Sequence, residues 1–404
     1  AAQWLETEGI TFADFNCNEV LSTQNENTFV AAAQNTATLN NITNLVNDPG
    51  HDPSNEINGV EVVCVRNGLR RYLEVYTVIT SEQEGSFAHL FNNGPITNTV
   101  TAVARVIPHT PPAYGGSIVA LGACTCTDTG IIIGGNATLT VTDGGMWANR
   151  DIGVNGSYDV RVQDSNGNVM PGSVNCLDDC NIVNDPNFKP DAVDLCVGDP
   201  RYNCPDLIIG KLDLPEPTCG TYRGAFSLTT CKDGICQPGR YTGGQVNQEH
   251  LSLMPGLYCI TGDLNINSKA VFESIPDASG HNGVTIFVKG PSGKITIQGG
   301  DVDLSAALTP EQVTNGAIQG VLIFYQNGHG DDKYAIRITG NGSGNYTGMI
   351  YSPDNGLYVS GTSAGTFTGQ IIVRWFEAKG TEDMQVTFAD YTNLATPTML
   401  QLNK

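Results

Sequence analysis

Residues 257–388 are a succession of short strand-like runs, and this succession limits the fold more than any other feature of the chain. In order the runs are LYCITG (257–262), LNIN (264–267), GVTIFV (283–288), KITIQG (294–299), VDLSA (302–306), GVLIFY (320–325), AIRITG (335–340), MIYSP (349–353), GLYVSG (356–361), QIIVRW (370–375) and MQVTF (384–388). Each alternates or is wholly apolar, and each stops at Gly, Asn, Asp or Pro. No long helical period interrupts them. An internal step is visible: GNATLTV (135–141) and GSYDVRV (156–162) align Gly on Gly and Val on Val, about 21 positions apart. The late runs show a similar step, Met349 to Ile371 and Leu357 to Ala378. Three strands of roughly five residues plus their turns use up about that many residues. The expectation is a three-faced β-solenoid, with longer coils where 275–282 and 307–317 are inserted. The step at 135–162 extends this coil upstream.

With 404 residues, two or three domains are expected. Only 15% of residues are charged and 47 are Gly, which favours turns and strands over helix. The formal net charge of −21 repels phosphate backbones, so nucleic acid is a poor partner. It suits a solvated acidic surface, or Ca²⁺ held by Asp and Asn oxygens in loops such as Asp48–Asp52 and Asp191–Asp199, neither with EF-hand spacing. No apolar run reaches the length of a membrane-spanning helix. The opening Ala1-Ala2 has the small-residue character that signal processing leaves behind.

The twelve cysteines are Cys17, Cys64, Cys124, Cys126, Cys176, Cys180, Cys196, Cys204, Cys219, Cys231, Cys236 and Cys259. None lies in a C-x-x-C or precedes a His, so zinc ribbons, dithiol redox sites and c-type haem lack their signatures. An even number in an acidic chain reads as six disulfides and an oxidising, extracellular compartment.

Residues 1–108 have a different texture. A helix is expected from Phe29 to Val46, stopped by Asp48-Pro-Gly50. Strands follow at Gly59–Arg66 and Leu69–Thr80, joined by Asn67-Gly68, a strong hairpin signal. Phe87–Phe91 reads as a helical turn, and Thr97–Ile107 as a third strand. The unit is an α+β head whose two cysteines, Cys17 and Cys64, are expected to pair. Residues 109–130 read as a linker and 131–404 as the solenoid. At about 163–250 a Cys- and Pro-rich stretch is expected to be irregular and held by disulfides rather than by a core.

Several stretches in combination resemble a known family. They are TNTVTAVARV (97–106), SIVALGAC (117–124) before GGNATLTVTDGGMWANRD (134–151), LPEPTCGT (214–221) with QPGRYTGG (237–244), LMPGLYCITGDLNIN (253–267), GNYTGMIYSP (344–353) and GLYVSGTSAGTFTGQIIV (356–373). Together they resemble the TadE/TadG-like pilus-assembly proteins of tight-adherence (Flp-type) systems that carry a pilin-like head and a β-helical tail. The resemblance implies an exported surface protein and a right-handed β-helix stapled by disulfides, and carries no catalytic motif. The family is built around an N-terminal hydrophobic helix before an Ala-rich stretch. This chain begins in the Ala-rich zone, so membrane anchoring is not expected of it.

Chemistry is sparse. Gly328-His329-Gly330-Asp331-Asp332-Lys333 with Arg337-Ile338-Thr339 has the residue types of a polygalacturonase site. All of them fall within one turn, however, whereas two carboxylates acting across a glycosidic bond need separate supports roughly 6.5–9.5 Å apart. Trp375-Phe376-Glu377 reads as strand edge and core, and Trp147 likewise. No column of acidic and aromatic residues at the coil step is legible. Sequons stand at Asn41, Asn136, Asn155, Asn341 and Asn345, of which Asn341 and Asn345 are the best placed for glycosylation. The reading is a non-enzymatic extracellular scaffold without a cofactor. Its copies polymerise, with the tail 393–404 capping the solenoid or reaching a neighbour. The alternatives are a β-helix that binds or cleaves carbohydrate, with surface polysaccharide as its partner, and a Ca²⁺-dependent adhesin.

Overall fold

The fold comes from a computed structural model of the chain. Residues 4–5, 15–39, 42, 45–47, 58–67, 70–83, 96–107, 112–122, 130–177, 182, 184–194, 209–289, 293–326, 333–340, 343–361, 364–381, 383–389 and 399–403 are described. The chain forms two compact units, 1–114 with 395–404, and 115–394.

In the first unit a helix, Thr23–Leu39, packs Phe29 and Val30 onto a five-stranded sheet. The helix starts earlier and ends sooner than its Ala-rich sequence suggests. At its end the Ile42 N–H donates to the Ala37 carbonyl five residues back. Val46–Asn47 is then free to pair parallel with Gly59 and Val60. Gly59–Asn67 and Arg70–Gln83 form the hairpin, and Ile96–Ile107 pairs antiparallel with the second of these. Cys17 and Cys64 join helix side to sheet through a disulfide. Phe87–Phe91 lies outside the described residues. Of the tail expected to cap the solenoid or reach a neighbour, the described residues 399–403 lie in the head. Met399–Asn403 is the fifth head strand, antiparallel to 103–107. The expected boundaries therefore move. The head takes back residues 395–404, the solenoid begins at 115 rather than 131, and Gly116–Ala120, placed in the linker, is a fully buried solenoid strand.

The second unit is mainly parallel β-sheet wound into three-faced coils. Its third face shows the stacking order: Ile235–Cys236, His250–Leu253, Val271–Ser274, Asp301–Ser305, Ser343–Thr347, Ala364–Thr368 and Asp383–Thr387, followed by Thr138–Thr142, Asp159–Gln163 and Phe188–Lys189. The coils at 116–163 thus do not precede the others in the stack. They lie beyond the C-terminal coil, with Asp383 paired to Thr138 and Ile371 to Ile118. The solenoid is circularly permuted: the chain enters at an inner coil, builds to one end, returns along the stack and winds back to its entry point.

The 135–162 repeat holds as read, with Gly135 on Gly156 and Val141 on Val162. The late register is shorter than the sequence suggests. Ile350, not Met349, stacks on Ile371, and Leu357 stacks on Phe376 rather than Ala378. Coils tighten there because successive turns lose residues, so alignment by apolar character alone slips by up to two positions. Inward side chains such as Leu139, Val160, Ile286, Ile323, Ile350 and Phe376 form one continuous core. It includes Val174, Phe188, Phe226 and Tyr241, so the stretch at 163–250 is less irregular than expected. Both its ends build coils, and Phe226 and Tyr241 stack at 4.1 Å.

Within that stretch, residues 209–221 form a non-repetitive strap. First-face strands such as Gly256–Ile260, Val284–Lys289, Val321–Gln326 and Met349–Ser352 are buried on both sides. Their outward side chains form an in-register row: Cys259, Phe287, Phe324, Tyr351, Ile372, Val119 and Trp147. The strap lies along that row. At one end Asn149 holds both polar groups of Ile209, accepting from its N–H at 2.9 Å and donating to its carbonyl at 2.7 Å. Midway the Tyr351 hydroxyl donates to the Leu212 carbonyl at 3.0 Å, and Lys289 pairs with Glu216 further on. At the other end Cys219 is bonded to Cys259. Six rungs at ~4.8 Å and ten extended residues at ~3.3 Å both come to about 30 Å, so the strap has the length of the row it covers. Trp147 is accordingly buried beneath the strap rather than in the core, with its indole N–H on Asn149.

Candidate functional site

Two solenoid faces turn polar side chains outward, and strand alternation decides which. On the second face, Ile336 and Ile338, Leu357 and Val359, and Phe376 and Ala378 point into the core. The residues between them must point out. The outward column, in register, is Asn265, Thr296, Arg337, Tyr358, Glu377 and Ile132. This is a stacked column that the sequence did not disclose.

Around its centre aromatic rings and cations interleave. The Tyr334 and Tyr358 rings are 5.5 Å apart. The Arg337 guanidinium sits 5.9 Å from the centre of the first and 6.0 Å from that of the second. Lys333 Nζ lies 5.4 Å from the Tyr334 ring and 5.7 Å from that of Trp375. Arg374 covers Trp375 at 4.1 Å. Trp375 leans on Gly122, where a Cβ would come within 3.4 Å of the indole nitrogen. The Arg374 backbone N–H donates to Ser352 and Asn355, which fixes the turn. Glu377 is 7% exposed, accepts from the Tyr334 hydroxyl and pairs with Lys379. Its charge is therefore balanced within the cluster. The aromatic and cationic members are half-buried, with surface to offer. Such an arrangement holds its cations against ring faces.

Of the Gly-rich loop that resembles a polygalacturonase element, only Lys333 is described; His329, Asp331 and Asp332 lie outside the described residues. Trp375 and Glu377 belong to this cluster, while Phe376 alone takes the core role read for all three. Arg337, Tyr334, Tyr358 and Arg374 were missed as a group. Their one signal was spacing, Arg337 to Tyr358 and Tyr358 to Glu377, at the coil step.

The third face carries a nine-rung column: Ser252, Glu273, Asp303, Asn345, Thr366, Gln385, Thr140, Arg161 and Lys189. It runs from acidic through neutral to basic. Asn345 is an exposed member of it, and Asn341 lies outside the described residues. Near its acidic end His250 hydrogen-bonds Glu273 at 2.7 Å and holds that carboxyl below its usual range.

Among the described residues no group of three or more His, Cys, Asp or Glu side chains could hold a metal ion. The Asp48–Asp52 loop lies outside them. So does most of Asp191–Asp199, whose Asp191 accepts from the Asn184 N–H at 3.1 Å. Cys231 and Cys236 are bonded to each other, and Cys176 is also disulfide-bonded. Cys124, Cys126, Cys180, Cys196 and Cys204 lie outside the described residues. No described helix is long and apolar enough to cross a membrane.

Fold and surface together define a disulfide-stapled parallel β-solenoid whose sequence interrupts a small α+β head. No protein-family model matches the chain, and no curated protein matches it. Among solved structures it is similar to the competence-associated pilin ComZ from Thermus thermophilus, with 12% identity over 85% of each chain and a TM-score of 0.26, a likeness too slight to carry an argument.

Proposed function

We propose that this chain is a secreted, non-enzymatic structural protein of the cell surface, a subunit of a pilus-like extracellular filament of the tight-adherence type. The observation that carries the reading is the insertion. Residues 115–394 are spliced between two neighbouring antiparallel head strands, Ile96–Ile107 and Met399–Asn403. A head whose sheet closes on both sides of so large an insert can serve as an assembly module while the insert varies. The disulfides Cys17–Cys64, Cys219–Cys259 and Cys231–Cys236 fit an oxidising compartment. Right-handed winding of the solenoid is the sense that parallel crossovers favour.

Assembly between copies has its physical motive in the open ends of the solenoid. On the third face the outermost described strands are Ile235–Cys236 and Phe188–Lys189, and a stacked copy could pair with such edges. Electron microscopy of purified protein and immunogold labelling of cells test the reading. Fibres, or gold on surface appendages, are expected. Monodisperse monomers under all conditions, together with cytoplasmic labelling, would sink it.

A further inference from the structure

We propose that a cleft beside the stapled end of the strap binds a single carboxylated sugar, with Arg223 receiving the carboxylate. The cleft encloses about 380 Å³, within the range of small-ligand sites. Three separate segments wall it: the end of the strap from Thr218 to Arg223, the turn Gln237–Gly239, and Leu257 with Asn315 and Gly316. Each is fixed from outside the cleft. Cys219–Cys259 staples the first, and the Arg240 N–H ties it to the second by donating to the Thr221 carbonyl at 2.8 Å. In the third, the Leu257 N–H donates to the Asn315 carbonyl at 3.1 Å, and Asn315 Nδ2 donates to the Pro255 carbonyl at 3.0 Å. At Gly239 a Cβ would come within 2.5 Å of the Thr221 carbonyl oxygen and 3.1 Å of Arg223 Nε. Glycine there lets the first two walls stand this close.

The lining is polar and carries one charge. No carboxylate lines the cleft, although the chain has a net charge of −21. Glu216, two residues before Thr218, is drawn off by Lys289. Arg223 donates from Nε to the Pro238 carbonyl at 3.3 Å. That bond orients the guanidinium and leaves its two terminal nitrogens, which have no hydrogen-bond or ion-pair partner among the described residues. A carboxylate accepts from such a planar fork with both oxygens. The Thr218 and Thr221 hydroxyls and the Gln237 amide are likewise unengaged among the described residues, and they donate and accept as sugar hydroxyls do. Gly220 and Gly316 put bare backbone in the walls, so a ring can approach closely. Only Leu257 and Pro238 offer apolar surface, which suits a hydroxylated ring better than a peptide side chain. The proposal goes beyond the filament reading: one chain suffices for binding, so either can fail alone.

The test is titration of the full, disulfide-intact chain with galacturonate, galactose and a short neutral peptide bearing a free C-terminal carboxylate, read by ligand-observed NMR and calorimetry. Galacturonate should bind, and galactose about tenfold more weakly. Arg223→Ala should weaken galacturonate binding about tenfold. Arg223→Lys should restore only part of it, because an ammonium presents no fork. Gln237→Ala should weaken both sugars about threefold. Arg240→Ala removes a neighbouring cation that lies over Tyr222 outside the cleft, and should leave binding unchanged. Melting temperature establishes that each variant folds. No galacturonate binding by the unaltered chain overturns the proposal. So does peptide or galactose binding as tight as that of galacturonate, or galacturonate binding that is indifferent to Arg223→Ala or falls equally with Arg240→Ala.

Discussion

At the scale of single residues, one corner of the solenoid is made by a file of glycines. Gly340, Gly361, Gly380, Gly135 and Gly156 stack in register at the bend between second and third faces, all with positive φ. A Cβ on Gly361 would come within 2.1 Å of the Gly340 carbonyl oxygen. Gly361→Ala combines a left-handed backbone penalty with a backbone clash, so it should cost about 3 kcal/mol. Gly167 has φ +80° but open space around it, so Gly167→Ala should cost only about 1 kcal/mol. Thermal melts of the two variants should keep that order; equal losses would show that the corner is looser than it looks. Charged residues give a second expectation. Asp164, Asp185, Asp277 and Glu273 are all held below the ordinary carboxylate range, chiefly by hydrogen bonds from Asn168, Tyr158, His281 and His250. Lowered folded-state pKa values mean that their stabilisation is complete above about pH 4 and fades as pH falls through the folded values. Melting temperature should therefore decline on acidification below about pH 4, and stability that rises there would contradict these contacts.

At the scale of elements, the strap is the feature that sequence patterning hides. Its residues look like linker, and the wholly apolar strands beneath look like ordinary core strands. Only their burial on both sides shows that something must cover the outer row. Period-two reasoning found the strands, because Val, Ile and Phe alternate or run together between Gly and Asn turns. It could not find the strap, whose backbone is held by Asn149 and Tyr351 from far along the chain. The same blindness hid the second-face cluster: Arg337, Tyr358 and Glu377 become neighbours only when the register, including its slip of two, is known. Loop-closure entropy gives the strap a measurable anchor. Opening Cys219–Cys259, which spans 40 residues, should cost about 4 kcal/mol, against about 2 for Cys231–Cys236, which spans 5. A Cys219→Ser/Cys259→Ser variant should also bind a hydrophobic dye that the parent does not, as Phe287 and Phe324 become accessible. Dye binding unchanged from the parent would mean that the strap stays seated without its staple.

At the scale of the whole molecule, the head and the solenoid are separable by topology. Ile107 pairs with Met399, so the strands on either side of the insert already face each other. Replacing residues 108–398 by a short Asn-Gly-containing turn should yield a folded head that keeps Cys17–Cys64, and 115–394 alone should fold with its remaining disulfides. Circular dichroism and disulfide mapping decide; a head that is unfolded without its insert would make the two units interdependent.

The permuted order of coils has a consequence for how the chain is made. As synthesis proceeds, the coils at 116–163 emerge first, yet one of their edges is matched only by residues 371–387, among the last to appear. Gln370 reaches back 254 positions to the Gly116 carbonyl. Until then an uncovered, hydrogen-bond-hungry rim persists in the nascent protein, and contacts so distant in sequence close slowly. The finished solenoid has no seam at that junction, but its assembly has a waiting time, during which that rim is open to other partners.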